Sequence, residues 1–397
     1  MAALEGQLRA RLNERARLHR TRQRRVSQGR CGPAMELSEG SQLCFASNDY
    51  LGLAGHPAIA AATVSALEKF GTGAGASHLI SGHHRTHAEL EEALAEFTGR
   101  PRALLFGSGY AANMGTINAL LERGDLLLQD SLNHASLIDG GLLSPAHSKR
   151  YRHADVSSAE RQLEAHQNHD RITLLATDGL FSMDGDCAPL IELAQLCERR
   201  GAALMVDDAH GFGVFGESGG GLVEELGLSA EQVPVLIGTL GKSFGSYGAF
   251  VAGSETLIES LIQFSRSYIY TTAQPPALAA ASLAALQLVR SEGWRREHLK
   301  ELVAYFRSAA AQLDLPLMES QSPIQPLLIG DEAELMAIDS GLRARGLWVG
   351  AIRPPTVAQG SARLRVTLTA AHSHEDVDRL LEALAQLGVG DPEPGLG

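Results

Sequence analysis

The sequence predicts an α/β protein with a large, mostly parallel sheet covered by helices on both faces and a smaller α/β domain at the C-terminal end. Three observations carry this expectation. Short runs that are apolar throughout recur along the chain. Stretches of helical periodicity separate each run from the next, the signature of a parallel sheet buried on both faces. After about residue 291 the pattern changes to charged helices interleaved with a few strands. The expected boundaries are 1–45 for an N-terminal helical arm, 46–290 for the large domain and 291–397 for the small one.

The elements follow in order. Leu4, Leu8 and Leu12 recur every fourth residue, so the N-terminal segment reads as an amphipathic helix packed on the body by its leucines. Residues 1–30 carry nine arginines against Glu5 and Glu14. That arm has two functional readings. It can lend an Arg to an anionic substrate, or it can be a mitochondrial transit peptide, which its poverty in Ser disfavours. Helices are expected at 56–70, closed by Gly71, and at 86–98, stopped by Gly99. Residues 102–106 form a short apolar strand followed by Gly107-Ser-Gly and a helix. Further apolar strands are expected at 125–129, 172–177, 203–206 and 235–238. In the C-terminal part, helices 294–313, 332–345 and 375–387 alternate with strands 324–329, 347–352 and 363–369. Ser373 and Asp376 have the spacing of a capping box before the last helix.

Composition excludes several classes. With 44% hydrophobic and 20% charged residues in 397, the chain is ordinary globular material. Its 34 Lys and Arg against 46 Asp and Glu give a formal net charge of −12, which disfavours nucleic acid and anionic membranes as partners. No run approaches the ~18–20 apolar residues that span a bilayer, and no signal peptide is visible. Cys31, Cys44, Cys187 and Cys197 form no CxxC pair. They point to a reducing, cytoplasmic setting, with neither a disulfide framework nor a zinc site.

Some motifs fail. Gly71-Thr-Gly73-Ala-Gly75 follows a helix and lacks the strand of a dinucleotide fingerprint, so it reads as a loop with unusual backbone angles. Gly241-Lys242-Ser243 resembles the end of a P-loop, but Leu236 stands where that motif needs Gly. His83, His84 and His87 include an i,i+4 pair without the Glu beside His83 that a metalloprotease helix has, and no metal site is expected. One competing match is serious. Gly107-Ser-Gly109-Tyr-Ala-Ala112 fits G-x-G-x-x-A between a strand and a helix, with Asp130 about twenty residues on. A nicotinamide-dependent oxidoreductase is therefore the alternative from another class. The physics of the match is broader, since small residues at a helix N-terminus let backbone N–H groups approach any phosphate.

Three strand ends carry further chemistry. Leu204-Met-Val-Asp207-Asp208-Ala-His210-Gly211 ends a buried strand on a carboxylate with a His three residues on. Val235-Leu-Ile-Gly-Thr239-Leu-Gly-Lys242 places a Lys in a glycine-flanked turn. Ser131-Leu-Asn-His134 places a His after a third strand. Singly, each is ordinary: a cap, a structural His, a surface turn. Together, behind a phosphate-type loop, they are what pyridoxal phosphate (PLP) needs. A Lys amine forms a Schiff base with its aldehyde, and an Asp keeps the pyridine nitrogen protonated so that the ring accepts electrons.

At these residues the chain resembles the α-oxoamine synthases, fold-type I PLP-dependent transferases that condense an amino acid with an acyl thioester and release CO2. The resembling segments are Asn48-Asp-Tyr-Leu-Gly-Leu53, Gly109-Tyr-Ala-Ala-Asn113, Asn133-His-Ala-Ser136, Phe181-Ser-Met-Asp-Gly185, Val206-Asp-Asp-Ala-His-Gly211 and Gly238-Thr-Leu-Gly-Lys242. Segments 351–357 and 363–370 are most similar to the branch that joins L-alanine to a pimeloyl thioester, carried by coenzyme A or an acyl carrier protein. Sister activities such as glycine C-acetyltransferase use the same residues. A catalytically dead scaffold on this fold is a third reading, against which intact Lys242, Asp207 and His210 speak.

The resemblance implies roles. Lys242 carries the cofactor and moves the Cα proton, Asp207 pairs with the ring nitrogen, His210 bonds the ring hydroxyl and His134 stacks on the ring. Ser182, Thr239 and the backbone at Gly109 and Tyr110 hold the cofactor or its phosphate. Thr271 or Thr272 of a second subunit completes the phosphate site in a homodimer with shared active sites. Asn48 and Arg365 meet the substrate carboxylate, and Thr356 and Arg22 touch the substrate, with Arg20 and Arg24 as substitutes for Arg22. Period-two alternation places Arg363, Arg365 and Thr367 on one strand face and Leu364, Val366 and Leu368 on the other. Tyr110, where Phe is frequent in the family, and the bulky Phe212 are departures that remove no chemical role.

Overall fold

The computed structural model describes residues 2–18, 20–38 and 40–390. Its strands in chain order are β1 (Ala34–Leu37), β2 (Gly40–Phe45), β3 (Arg102–Phe106), β4 (Leu126–Asp130), β5 (His147–Tyr151) and β6 (Thr173–Asp178). They continue with β7 (Ala203–Asp207), β8 (Val235–Thr239), β9 (Ala249–Gly253), β10 (Ile324–Gly330), β11 (Leu347–Ile352) and β12 (Ala362–Thr367). The chain divides into two compact units, a larger one of residues 49–182 and 186–297 and a smaller one of 1–48, 183–185 and 298–397.

The larger unit is built on one sheet in the order β3-β9-β8-β7-β6-β4-β5. Neighbours from β8 to β5 pair in parallel, while β9 runs antiparallel to both β3 and β8. The expectation of a mostly parallel sheet therefore holds, with one reversed strand. Successive residues feed opposite faces, as the pleat requires. Leu105 and Phe250 enter one apolar cluster with Leu53, Leu90, Phe212 and Phe244, whereas Leu104 and Val251 enter the other with Ile117, Leu174 and Ile237. Two buried faces explain why these strands read as continuous apolar runs.

Helices Pro57–Phe70 and Arg85–Phe97 lie within a residue of the expected spans. The first ends at Gly71, and Gly71 and Gly75 both adopt positive φ, as expected of that loop. β5 and β9 carried no sequence expectation. β5 is the polar edge strand HSKRY, and β9 is a five-residue apolar run.

The smaller unit has a five-stranded sheet in the order β1-β2-β11-β12-β10. β2 pairs in parallel with β11, so two strands from the start of the chain complete a sheet whose other three come from its last quarter. Buried His372 ties this edge together, stacking on Phe45 at 4.4 Å with its Nε2 3.1 Å from the Cys44 carbonyl. The capping box is present: Ser373 Oγ accepts the Asp376 N–H, and the Asp376 carboxylate accepts the Ser373 N–H.

One expectation is corrected. Helix Ala2–Arg17 forms, but Leu4, Leu8 and Leu12 are 60%, 42% and 64% exposed and pack on nothing in this unit. Steps of four residues overshoot a 3.6-residue turn by about 40° each, so the leucines form a slanting stripe. Arg9, Arg11 and Arg15 interleave with it, which leaves no continuous apolar face.

In the larger unit His153 bridges two carboxylates, with Nδ1 3.0 Å from Asp130 and Nε2 2.8 Å from Asp186. Asp130 also accepts the N–H groups of Leu132 and Ala154, so this bridge anchors the turn after β4. Burial opposes the charge on His153, but the hydrogen bonds to Asp130 and Asp186 outweigh it and raise its pKa to about 10. Among the described residues no helix is long and apolar enough to cross a membrane, and the four cysteines form no disulfide.

Two tests follow from this architecture. A His whose folded pKa is raised stabilises fully below its ordinary value of 6.5, and that stability disappears as pH rises through about 10. Denaturant midpoints of His153→Gln should therefore fall below wild type near pH 6 and converge on it toward pH 10. Ser373→Ala should lose about 0.5–2 kcal/mol of stability in urea titration, the usual cost of removing an N-cap.

Candidate active site

The parallel strands of the larger unit end on polar chemistry at one edge of the sheet. β7 ends at Asp207, which is buried. Its Oδ1 accepts the Ala209 N–H at 3.0 Å and its Oδ2 accepts the Asn113 amide at 2.5 Å. Asn113 also donates to Ser136 Oγ at 2.8 Å, and Ser136 Oγ lies 2.7 Å from His134 Nδ1. The Ser136 N–H points at the same nitrogen. Nδ1 is thus the acceptor, and the network assigns the His134 proton to Nε2.

The turn carrying His134 is laced to β6. The His134 N–H donates to Asp178 at 2.6 Å, Asn133 donates to the Ala176 carbonyl, and the Asp178 N–H donates to the Asn133 side chain. Asp178 and Asp207 are register partners on adjacent strands. Burial, and then Asp207, push the Asp178 carboxyl well above the usual carboxylate range. Burial lowers the pKa of His134; Lys242 works in the same direction, while Asp207 opposes it. Lys242 is therefore close enough to act electrostatically on both His134 and Asp178.

Lys242 is half-buried in the turn after β8. Thr239 shapes that turn, donating through its hydroxyl to the Gly248 carbonyl at 3.1 Å and accepting the Gly241 N–H. Gly245 closes it with φ +59°, and a Cβ there would lie 2.3 Å from the Ala54 nitrogen. No other residue fits that backbone approach. His210, buried after β7, has Nδ1 2.6 Å from the hydroxyl of the fully buried Tyr50. After β3, Ser108 caps helix Gly109–Leu120 by accepting the Ala111 N–H. The Tyr110 hydroxyl bonds Asp139, and its ring meets His134 edge-on at 6.4 Å. Ser182 is half-buried, and Thr271 and Thr272 are exposed, with Thr272 bridged to Ser77.

In the smaller unit Arg365 donates through both terminal nitrogens to Asn48 Oδ1 at 3.2 Å and to Thr367 at 2.9 Å. Arg363, on the same strand face, pairs with Asp184 at 2.6 Å. Arg22 donates to Thr356 at 3.2 Å, so two residues 334 positions apart are brought together. Arg20 instead forms a two-pronged pair with Glu332. Arg22 also lines a cavity of about 560 Å³ with Arg25, Arg343, Trp348 and Arg353.

Sequence reasoning did not single out Asn113, Tyr50 or Asp178 as members of the site. The first two lie inside the resembling segments, which was the available signal; Asp178 directly follows the expected strand 172–177 and could have been found by the same strand-end rule. The dinucleotide reading loses its acid: Asp130 is fully buried, with its oxygens taken by His153, Leu132 and Ala154.

The aminotransferase class I and II family profile matches residues 41–384. An 8-amino-7-oxononanoate synthase from Pseudomonas savastanoi pv. phaseolicola is 59% identical over 379 residues, 96% of this chain and 95% of that protein. One from Stutzerimonas stutzeri is 56% identical over 97% of this chain and 98% of its own. Among solved structures, serine palmitoyltransferase from S. paucimobilis with a bound PLP–myriocin aldimine superimposes with a TM-score of 0.92 at 28% identity, covering 97% of this chain and 98% of that one. An 8-amino-7-oxononanoate synthase from Francisella tularensis does so with 0.75 at 30% identity, covering 87% and 97%. The fold is that of the fold-type I PLP-dependent transferases, and the chain belongs to the aminotransferase class I and II family.

Proposed function

We propose that the chain is a PLP-dependent acyltransferase that condenses L-alanine with a pimeloyl thioester, of coenzyme A or acyl carrier protein, to give 8-amino-7-oxononanoate, CO2 and free thiol in biotin synthesis. The observation that carries the chemistry is the buried Asp207 joined through Asn113 to the Ser136–His134 pair, with Lys242 close by. The choice of substrates is supported by the name shared by relatives at 56–59% identity.

The residues fit PLP. A Cβ at Gly107 or Gly109 would meet no atom within 4 Å, so the turn after β3 is open. The first N–H groups of the following helix have no intrahelical partner and suit a phosphate. Asp207 is a buried carboxylate of the kind that holds a protonated ring nitrogen, and Lys242 is an amine on the same edge. Gly109, Tyr110, Ser182, Thr239, and Thr271 or Thr272 of a second copy would hold the cofactor and its phosphate. When bound, PLP supplies an electron sink for a carbanion at the amino acid Cα.

The chain's own groups do the rest. Lys242 Nζ takes the covalent position, then removes a proton from the substrate Cα and returns one to the product. Lys242 lies close enough to His134 and Asp178 to act on both electrostatically, and a tethered amine makes proton transfer positioned rather than diffusive. Tyr50 fixes the His210 ring, which would bond the cofactor's hydroxyl. His134 is held through Nδ1 by Ser136 and through its backbone by Asp178, and would stack on the cofactor when it is bound. Asn48 and Arg365 orient the alanine carboxylate. Arg22 supplies a cation to the free carboxylate of the pimeloyl chain, with Thr356 beside it.

A homodimer is part of this reading. Leu79, Ile80, Tyr247 and Tyr270 of the larger unit are exposed, Ile80 at 80% and Tyr270 at 70%, an apolar surface that a second copy would cover. The cytoplasm suits four cysteines without a disulfide.

Purified protein should be yellow, and Lys242→Ala should abolish the lysine adduct fixed by borohydride; a colourless protein that binds NADH would instead establish the oxidoreductase. Thiol release should be fastest with L-alanine and a pimeloyl thioester in a screen of four amino acids against several acyl chains. Turnover of glycine with acetyl-CoA but not of this pair would reassign the substrates and leave the cofactor chemistry standing.

A further inference from the structure

A histidine cluster in the larger unit lies outside this chemistry. Residues His78–Gly82 form one turn of π-helix, His83 follows it, and His84 caps helix Arg85–Phe97. One ring nitrogen from each of His78, His83 and His87 lies within 4.8 Å of the other two. The Nδ1 atoms of His78 and His83 are only 2.9 Å apart. Single-turn π segments are frequent at functional sites.

The surroundings set the tautomers. His87 Nε2 is 2.9 Å from the Gln274 carbonyl, which can only accept, so the proton is on Nε2 and the lone pair on Nδ1. The His84 N–H donates to that Nδ1 at 3.0 Å, which agrees. His83 Nε2 lies 3.8 Å from the Glu91 carboxyl, and its Nδ1 faces His78 Nδ1 with one proton between the two nitrogens. A carbonyl or carboxylate behind one nitrogen, with the lone pair on the other, is the arrangement that prepares an imidazole to ligate a metal. His78 is held in addition by stacking on Tyr268 at 5.1 Å and 9°.

We propose that His78, His83 and His87 bind one divalent ion of borderline softness, Zn2+, through one nitrogen each, with water in the fourth position. Zn–N bonds of about 2.0–2.1 Å in a tetrahedron place ligand nitrogens about 3.4 Å apart. The proton shared between the His78 and His83 Nδ1 atoms passes to Nε2 of the ring that carries it; that pair then opens by a few tenths of an ångström, and the widest pair closes by little more than one. His87 gives up the His84 N–H, and the His83 side chain, one-third exposed, supplies most of the movement. The ion ties that turn to the helix after it. The same segment is anchored to residues 272–274 by the Ser77–Thr272 bridge, the Ala273 N–H to the Ala76 carbonyl, and the His87–Gln274 bond. Occupancy therefore braces that backbone.

Chelator-treated holoenzyme titrated with Zn2+ by calorimetry, and with Co2+ by visible absorption, should take up one equivalent per chain and show the intense bands of four-coordinate cobalt. His83→Ala and His78→Gln should each weaken binding ~10-fold or more, and Glu91→Gln about 10-fold through the ring it supports. His147→Ala, which alters the separate His147–His166 pair, should bind as wild type does. Zn2+ should raise the Tm of wild type and not that of His83→Ala, whose side chain is one-third exposed and whose loss the fold tolerates. Absence of a stoichiometric ion in wild type, or unchanged affinity in both His78→Gln and His83→Ala, overturns the site.

Discussion

Asp207 ends β7 with its carboxylate out of water, and a buried carboxylate needs hydrogen bonds or countercharge close by. Breaking a buried ion pair by removing one partner typically costs ~3–5 kcal/mol. Here the Ala209 N–H and the Asn113 amide share the task. Asp178 sits one strand away, and two carboxyl groups that close do not both ionise freely. The burden falls on Asp178, whose carboxyl is pushed up by burial and then by Asp207. Because Asp178 also receives the His134 N–H, one electrostatic arrangement fixes both the acid and the imidazole beside it.

The sheet makes that arrangement reachable. Parallel strands present their carboxyl ends at one edge, so Asp130, Asp178, Asp207 and Thr239 terminate together and the residues just beyond them converge. The antiparallel β9 serves the same edge from the other direction. It returns the chain after the Lys242 turn, which Thr239 and Gly248 close and which Gly245 allows to lie against Ala54.

What the sequence made legible was whatever is local. Asp207, Lys242 and His134 each sit within a few residues of an apolar run, so strand-end reasoning found them, and the capping box at Ser373 needed only four residues. The pairing of Arg22 with Thr356 and of Arg20 with Glu332 joins distant segments, and spacing along the chain does not decide between two arginines two residues apart. β5 was hidden because an edge strand can be polar, β2 because its partner β11 lies in the last quarter of the chain, and β1 because it is an edge strand held by β2 alone. The leucine stripe shows the reverse error: periodicity predicted a helix correctly and a packing surface wrongly, since a helix forms without anything to bury its stripe.

The pairing of β2 with β11 also bears on how the protein is made. Phe45 leaves the ribosome some 300 residues before Leu347, which at ~5–20 residues per second is a wait of about 15–60 s. Through that interval the opening hairpin has no sheet to join, while the whole of the larger unit emerges. Biogenesis thus runs inside-out: the middle of the polypeptide can condense first, and the two extremities are stitched into one layer only when translation is almost over.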